Sequence, residues 1–162
     1  MAKSIVFIDS EIGIEDKKVK DLGAIKSNRT KFHSPSLRDF FTFISEAEFI
    51  CGHNIIHHDL AYIAPLSDKP ICAQAIDTLY LSPLLFPCRP YHKLLKDDKL
   101  QVDELNNPLN DAEKAMLLFA DEVNAFIALS PKMKQIFCCL LYNQPEFKGF
   151  FDYVNFVPYR SN

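Results

Sequence analysis

A short apolar block at 4–9 (SIVFID), rich in β-branched residues, predicts a buried strand ending in a polar break. Looser alternation over 19–28 (VKDLGAIKSN) predicts a second strand, and 30–33 (TKFH) a third beyond a turn at Ser27-Asn28. Leu37, Phe40, Phe41 and Ile44 recur at helical spacing, with Ser34 as N-cap and Pro35 in the first position. Residues 48–53 (EFICGH) predict another buried strand. Residues 55–65 predict a helix capped by Asn54, with Ile56, Leu60 and Ile63 on one face, and 74–80 (QAIDTLY) a further strand end. The stretch 81–108 is looser: it holds four prolines and the charged run KLLKDDK, and a short helix is placed at 91–96. Asn107 and Pro108 then open the best-marked helix, in which Leu109, Ala112, Met116, Phe119, Val123 and Phe126 follow at steps of three and four. A further helical stretch runs from Pro131 to 142, followed by an aromatic segment, FKGFFDYVNF.

Strands, helix, strand, helix, strand and helices in that order predict an α/β fold, a mixed sheet flanked by helices. The length, 162 residues, suits one domain, with 48% hydrophobic and 24% charged residues, an ordinary globular balance. No apolar run reaches the ~20 residues of a membrane span. The N-terminus meets carboxylates too early for a signal peptide, so the expected location is cytoplasmic, with no membrane partner. A net charge of −3 argues against a basic, sequence-blind DNA coat. It leaves room for an enzyme whose carboxylates are neutralised by a bound cation. The five cysteines are odd in number and lack a C-x-x-C spacing, which favours reduced thiols over disulfides or zinc.

The chemistry lies in the acids. Asp9 and Glu11 are two apart at a strand end, so both point to the same face. Carboxylates this close repel unless a cation lies between them, and hard divalent ions take such oxygen ligands. Asp59, in CGHNIIHHDL, and Asp111, in NNPLNDAEKAM, each open a predicted helix. Alone, each has an ordinary explanation in the helix dipole. Together, four carboxylates from three segments suit two metal ions ~3.5–4 Å apart that activate water for phosphodiester hydrolysis.

Four motifs in order, VFIDSEIG, GHNIIHHDL, AIDTLYL and NDAEKAMLLF, resemble those of the DnaQ-like (DEDD) 3′–5′ exonucleases, whose fold is ribonuclease H-like. The resemblance spans residues 4 to 129. In ICGHNIIHHDL and the tail LYNQPEFKGFFDY it looks most like the exonuclease-type domain at the N-terminus of bacterial RecQ-family DNA helicases. It implies that Asp9, Glu11, Asp59 and Asp111 hold two Mg²⁺ or Mn²⁺ ions and that Glu11 also orients the attacking water. It further implies a single-stranded DNA 3′ end as substrate, with RNA as the alternative, and a fused helicase domain. On this reading 1–130 form the exonuclease-like domain. Residues 131–162 form a helical extension that packs on it or leads to a following domain.

One departure matters. The family's general base is a histidine five residues before the last aspartate or a tyrosine four before it; here those positions are Asn106 and Asn107. Neither amide accepts a proton near neutral pH. Either a metal ion lowers the pKa of its bound water enough that no side-chain base is needed, or another residue substitutes, the candidates being His57, His58 and His92, with His58 as the catalytic candidate. Substrate contacts are expected from Ser10, Ile12 and Gly13, from His53 and Asn54 of the GHN turn, and from Lys93, Lys96 and Lys99. The competing reading is a nucleic-acid-binding module that keeps the fold without turnover.

Overall fold

The structure is a computed structural model and describes residues 3–94 and 107–159. Five strands form one mixed sheet in the order β3-β2-β1-β4-β5. They are β1 (Ile5–Ile12), β2 (Val19–Lys26), β3 (Lys31–His33), β4 (Phe49–Gly52) and β5 (Gln74–Asp77). The first three form an antiparallel meander, and β4 and β5 add in parallel beyond β1. Six helices flank the sheet: α1 (Leu37–Ile44), α2 (Asp59–Ile63), α3 (Thr78–Leu85), α4 (Pro108–Ala128), α5 (Pro131–Leu141) and α6 (Pro145–Tyr153). This is the expected α/β class, and it is compatible with a ribonuclease H-like arrangement. No described helix is long and apolar enough to cross a membrane.

Alternation along the strands sorts two cores. Ile5, Phe7, Ile25, Phe49, Cys51 and Ile76 face one side, with Phe119 and Phe126 of α4 and Phe150 and Phe151 of α6. Val6, Ile8, Leu22, Ala24 and Ile50 face the other, with Phe40 and Ile44 of α1 and Ile63 of α2. Each Val, Leu, Ile or Phe among them contributes ~1.5–3 kcal/mol by leaving water. Phe126 meets Phe150, Phe151 and Phe156 edge-on at 5.2, 5.9 and 5.7 Å, so the aromatic segment near the end belongs to the same core as the sheet. The backbone of α6 lies directly on β5: a Cβ at Gly149 would stand 2.1 Å from the Ala75 carbonyl oxygen.

Local geometry departs from the sequence expectation at several points. The first strand continues to Ile12 rather than stopping at 9, because β2 pairs with it along its whole length. The cap of α1 is Ser36, whose side chain accepts from Asp39 N; Ser34 instead accepts from Ser36 N. Helix α2 begins only at Asp59, with no side-chain cap, and 53–58 are turns in which Asn54 takes φ +67°. Asn54 is therefore no helix cap. Residues 78–80 continue not as strand but as α3, because the Asp77 side chain accepts from Leu79 N. Residues 91–94 are not helical, and the rest of the short helix expected at 91–96 lies outside the described residues. The aromatic tail contains α6.

Candidate metal centre

The end of β1 carries Asp9 and Glu11 on the α4 side, continuing the face set by Ile5 and Phe7. Asp9 pairs with Gly23 of β2 and Glu11 with Asp21, so both precede the register shift between Glu11 and Ile12. Gly23 shows why this end of the sheet meets α4. A Cβ there would lie 2.2 Å from Leu109 N and 2.5 Å from the Pro108 carbonyl oxygen. The missing side chain lets the first turn of α4 sit on β2 beside Asp9. That turn is fixed from its own side by Asn107, whose Oδ1 accepts from Leu109 N at 3.0 Å and Asn110 N at 3.4 Å. Asp111 lies in that turn, half-buried.

Gly23→Ala is expected to push the start of α4 off the sheet. Overpacking of this kind costs ~1–3 kcal/mol, a fall of roughly 2–12 °C in Tm for a domain of this size. A thermal melt within ~1 °C of the wild type would show that α4 is not seated on this glycine.

The fourth acid reaches the same stretch of β1 from α2, beside Ser10, which lies between Asp9 and Glu11. Asp59 is only 2% exposed. There Ser10, pointing away from Asp9 and Glu11, donates its hydroxyl to Asp59 Oδ1 at 2.5 Å. Burial pushes the Asp59 carboxyl up, and the Ser10 bond and nearby His58 pull it back. The spacing within each motif could not reveal this approach, because it depends on which face of the sheet α2 covers.

The remaining candidates fall around this frame. His58 is exposed, with Nδ1 3.5 Å from Asp59 Oδ2 and its ring edge-on to Tyr62. His57 turns instead to α6, with Nε2 2.9 Å from Glu146 Oε1. His53 Nδ1 lies 2.8 Å from Thr78 Oγ1, whose hydroxyl donates to the Gly52 carbonyl. Burial pushes the His53 ring down to about 4, so it is neutral at pH 7. Asn54 enters through its backbone N–H, which donates to Asp77 Oδ1. Ile12 ends β1, and Gly13 opens the following turn by donating to the Lys18 carbonyl at 2.8 Å. Lys93 is exposed beyond α3. Asn106, Lys96 and Lys99 lie outside the described residues.

Three more residues shape the region: Lys114 and Glu122 escaped sequence reading, whereas Asp77 stood in the AIDTLYL motif without an assigned role. Lys114, one turn past Asp111, places Nζ 3.8 Å from Asp111 Oδ1; the motif itself, N-D-A-E-K, contained that signal. Asp77 is fully buried and accepts from the backbone N–H groups of Asn54, Ile56 and Leu79. It thereby holds the GHN turn against the start of α3. Glu122, on α4, is fully buried beside Ser82.

Among the described residues, no group of three His, Cys, Asp or Glu side chains is gathered closely enough to hold a metal ion. The donors themselves suit one: Asp9, Glu11 and Asp111 are oxygen ligands of the kind hard divalent cations take, at one end of one face of the sheet.

No family model matches the sequence, and no curated protein matches it. Among solved structures, the chain is similar to the family B DNA polymerase from the hyperthermophilic archaeon Pyrobaculum calidifontis. The TM-score is 0.45 and the identity 13%, over 98% of this chain and 30% of the polymerase chain. The chain thus spans less than a third of that protein's length, and a likeness this distant says nothing of activity.

Proposed function

We propose that the chain is a metal-dependent 3′–5′ exonuclease domain that hydrolyses phosphodiester bonds at single-stranded DNA ends. One observation carries the reading: Asp9 and Glu11, side by side at the end of β1, face the turn of α4 that bears Asp111. Asp9, Glu11 and Asp111 are the residues that would hold Mg²⁺ or Mn²⁺. Such an ion lowers the pKa of a bound water and balances charge on a phosphate. The protein's part is positional. The β1–β2 register fixes Asp9 and Glu11, the Asn107 cap fixes Asp111, and the Ser10–Asp59 bond ties the same stretch of β1 to α2. The resemblance of ICGHNIIHHDL and LYNQPEFKGFFDY extends the proposal to a place beside a RecQ-type helicase domain.

A second reading has its own observation. Asn107, at one of the two family positions for a general base, has its carbonyl oxygen committed to capping α4. On that reading the domain binds nucleic acid with little turnover.

The test uses a 5′-labelled single-stranded DNA oligonucleotide with Mg²⁺, Mn²⁺ or EDTA. The expected result is a ladder shortening from the 3′ end, abolished by EDTA and reduced by ~100-fold or more in Asp9→Ala and Asp111→Ala. DNA binding without a ladder favours the second reading. Cleavage that survives either substitution overturns the site.

A further inference from the structure

The segment that follows α3 carries a charge pattern unlike the rest of the chain. Between Asp77 and Asp97 the sequence has no carboxylate, although the net charge is −3. Arg89, Tyr91 and Lys93 lie there, all exposed, and the Tyr91 side chain stands 82% exposed. Neither Arg89 nor Lys93 forms a salt bridge among the described residues. Arg89 acts on the field at Glu122, but burial pushes that carboxyl up to about 9, so it carries no charge at pH 7.

The backbone holds these side chains in place. The Arg89 N–H donates to the Phe86 carbonyl at 3.0 Å and closes a turn over Pro87 and Cys88. The Arg89 guanidinium lies 3.7 Å from the centre of the Phe86 ring. Pro87 and Pro90 fix φ on either side of Arg89, which removes slack from the segment. His92 anchors the far end: its Nδ1 is buried, and it lies beside His53 of the GHN turn. That turn leaves the sheet close to the candidate centre. Phe7 pairs with Cys51, and two residues beyond them stand Asp9 and His53. A Cβ at Gly52 would lie 2.5 Å from the Ile8 carbonyl oxygen.

An exposed aromatic ring between two cations matches one ligand chemistry. A nucleobase offers the ring a π-face to cover it, whatever the base. A guanidinium and an ammonium suit the phosphates on either side of such a base. A single strand presents base faces and phosphates together, whereas a duplex keeps its base faces stacked inside.

We propose that Arg89, Tyr91 and Lys93 form a stacking platform for single-stranded DNA, on which a base covers the Tyr91 ring and the adjoining phosphates meet Arg89 and Lys93. The inference deepens the exonuclease reading and rests on it for the class of ligand; it requires no metal ion. Anchored on the GHN turn, the platform holds the strand beside the end of β1.

The test is binding of a 5′-labelled oligothymidylate of about 15 nucleotides to the full chain in EDTA, so that no cleavage intervenes. Tyr91→Ala is expected to weaken binding ~5- to 100-fold, and Tyr91→Phe to keep it within ~2-fold of the wild type. Arg89→Ala and Lys93→Ala are each expected to flatten the dependence of log K on log salt by ~0.7, the share of one phosphate in a single strand. The chain has no tryptophan, so Tyr91→Trp supplies a single emitter that the oligonucleotide should quench. Tyr159→Trp, at a position 84% exposed in the wild type, should keep its emission. Wild-type binding that Tyr91→Ala leaves within ~2-fold, or equal quenching at both positions, would overturn the platform and leave the exonuclease reading standing. Absence of binding by the wild type would remove both the platform and the nucleic-acid reading beneath it.

Discussion

Asp77→Ala is expected to cost ~3–5 kcal/mol, because it strips three backbone N–H groups of their acceptor at once. In the wild type Asp77 Oδ1 accepts from Asn54 N at 2.8 Å and Leu79 N at 3.0 Å, while Oδ2 accepts from Ile56 N at 3.0 Å. The side chain is fully buried, so water cannot replace it cheaply. It also caps α3, whose loss alone costs ~0.5–2 kcal/mol. Asp77→Asn separates these roles. An amide oxygen can keep the Oδ1 partners, but an NH₂ group at Oδ2 would face the Ile56 N–H donor to donor. The expected order of Tm is wild type, then Asn, then Ala, the last lower by roughly 10 °C. A melt of Asp77→Ala near that of the wild type would show that this carboxylate does not hold the GHN turn.

Glu122→Gln is expected to stabilise the protein, and increasingly so as pH rises. Glu122 is fully buried; Oε1 accepts from Ser82 Oγ at 2.8 Å and Oε2 has no hydrogen-bond partner. Burial, with the Asp77 carboxylate nearby, pushes its carboxyl from 4.5 up to about 9. The folded state therefore keeps a proton that the unfolded state gives up. Glu122's contribution is fully present below pH 4.5 and is lost progressively as pH climbs toward 9. At pH 7 the loss already amounts to as much as ~3 kcal/mol, and Gln, neutral at every pH, avoids it. His53 carries the opposite sign. Its lowered pKa makes stability fall as pH drops below 6.5, so denaturation between pH 7 and 9 leaves His53 out, and the thiols of Cys51 and Cys138, raised by burial, act alike in wild type and Glu122→Gln. Wild-type stability should decline over that interval while Glu122→Gln stays flatter. Parallel curves would show that Glu122 is ionised in the fold.

What the sequence made legible is what lies within a few residues of its cause. Asn107-Pro108 marked the start of α4 because a cap and the first helical position are adjacent. The β2 and β3 spans followed closely from alternation and a turn, whereas the apolar block marked the start of β1 but not its end. The misplaced elements are those whose cause lies far along the chain. Residues 55–58 look helical by spacing, yet Asp77, more than twenty residues later, pins 53–58 as a turn with Asn54 at positive φ. The same carboxylate starts α3 where a strand was expected. In the candidate site, the shared direction of Asp9 and Glu11 was readable from strand periodicity. The place of Asp59 was not, because no local pattern says which face of the sheet a crossover covers. Lys114 was readable as a neighbour of Asp111, three residues on along a predicted helix, and was overlooked.

The seat of α6 on β5 also has a consequence for how the chain is made. Lys3 Nζ donates to the Tyr153 carbonyl at 2.9 Å and to Asn155 Oδ1 at 2.6 Å, and the Phe49 and Tyr153 rings meet at 5.4 Å. The beginning of the chain is thus completed by residues about 150 positions later. At ~5–20 residues per second a ribosome takes on the order of ten seconds or more to deliver them. Phe7 waits longest, and Phe119 and Phe126, once made, lack their covering helix until α6 follows, leaving the sheet open to chaperones or to its own copies. Slow decoding between the end of α4 and residue 145 would lengthen that exposure.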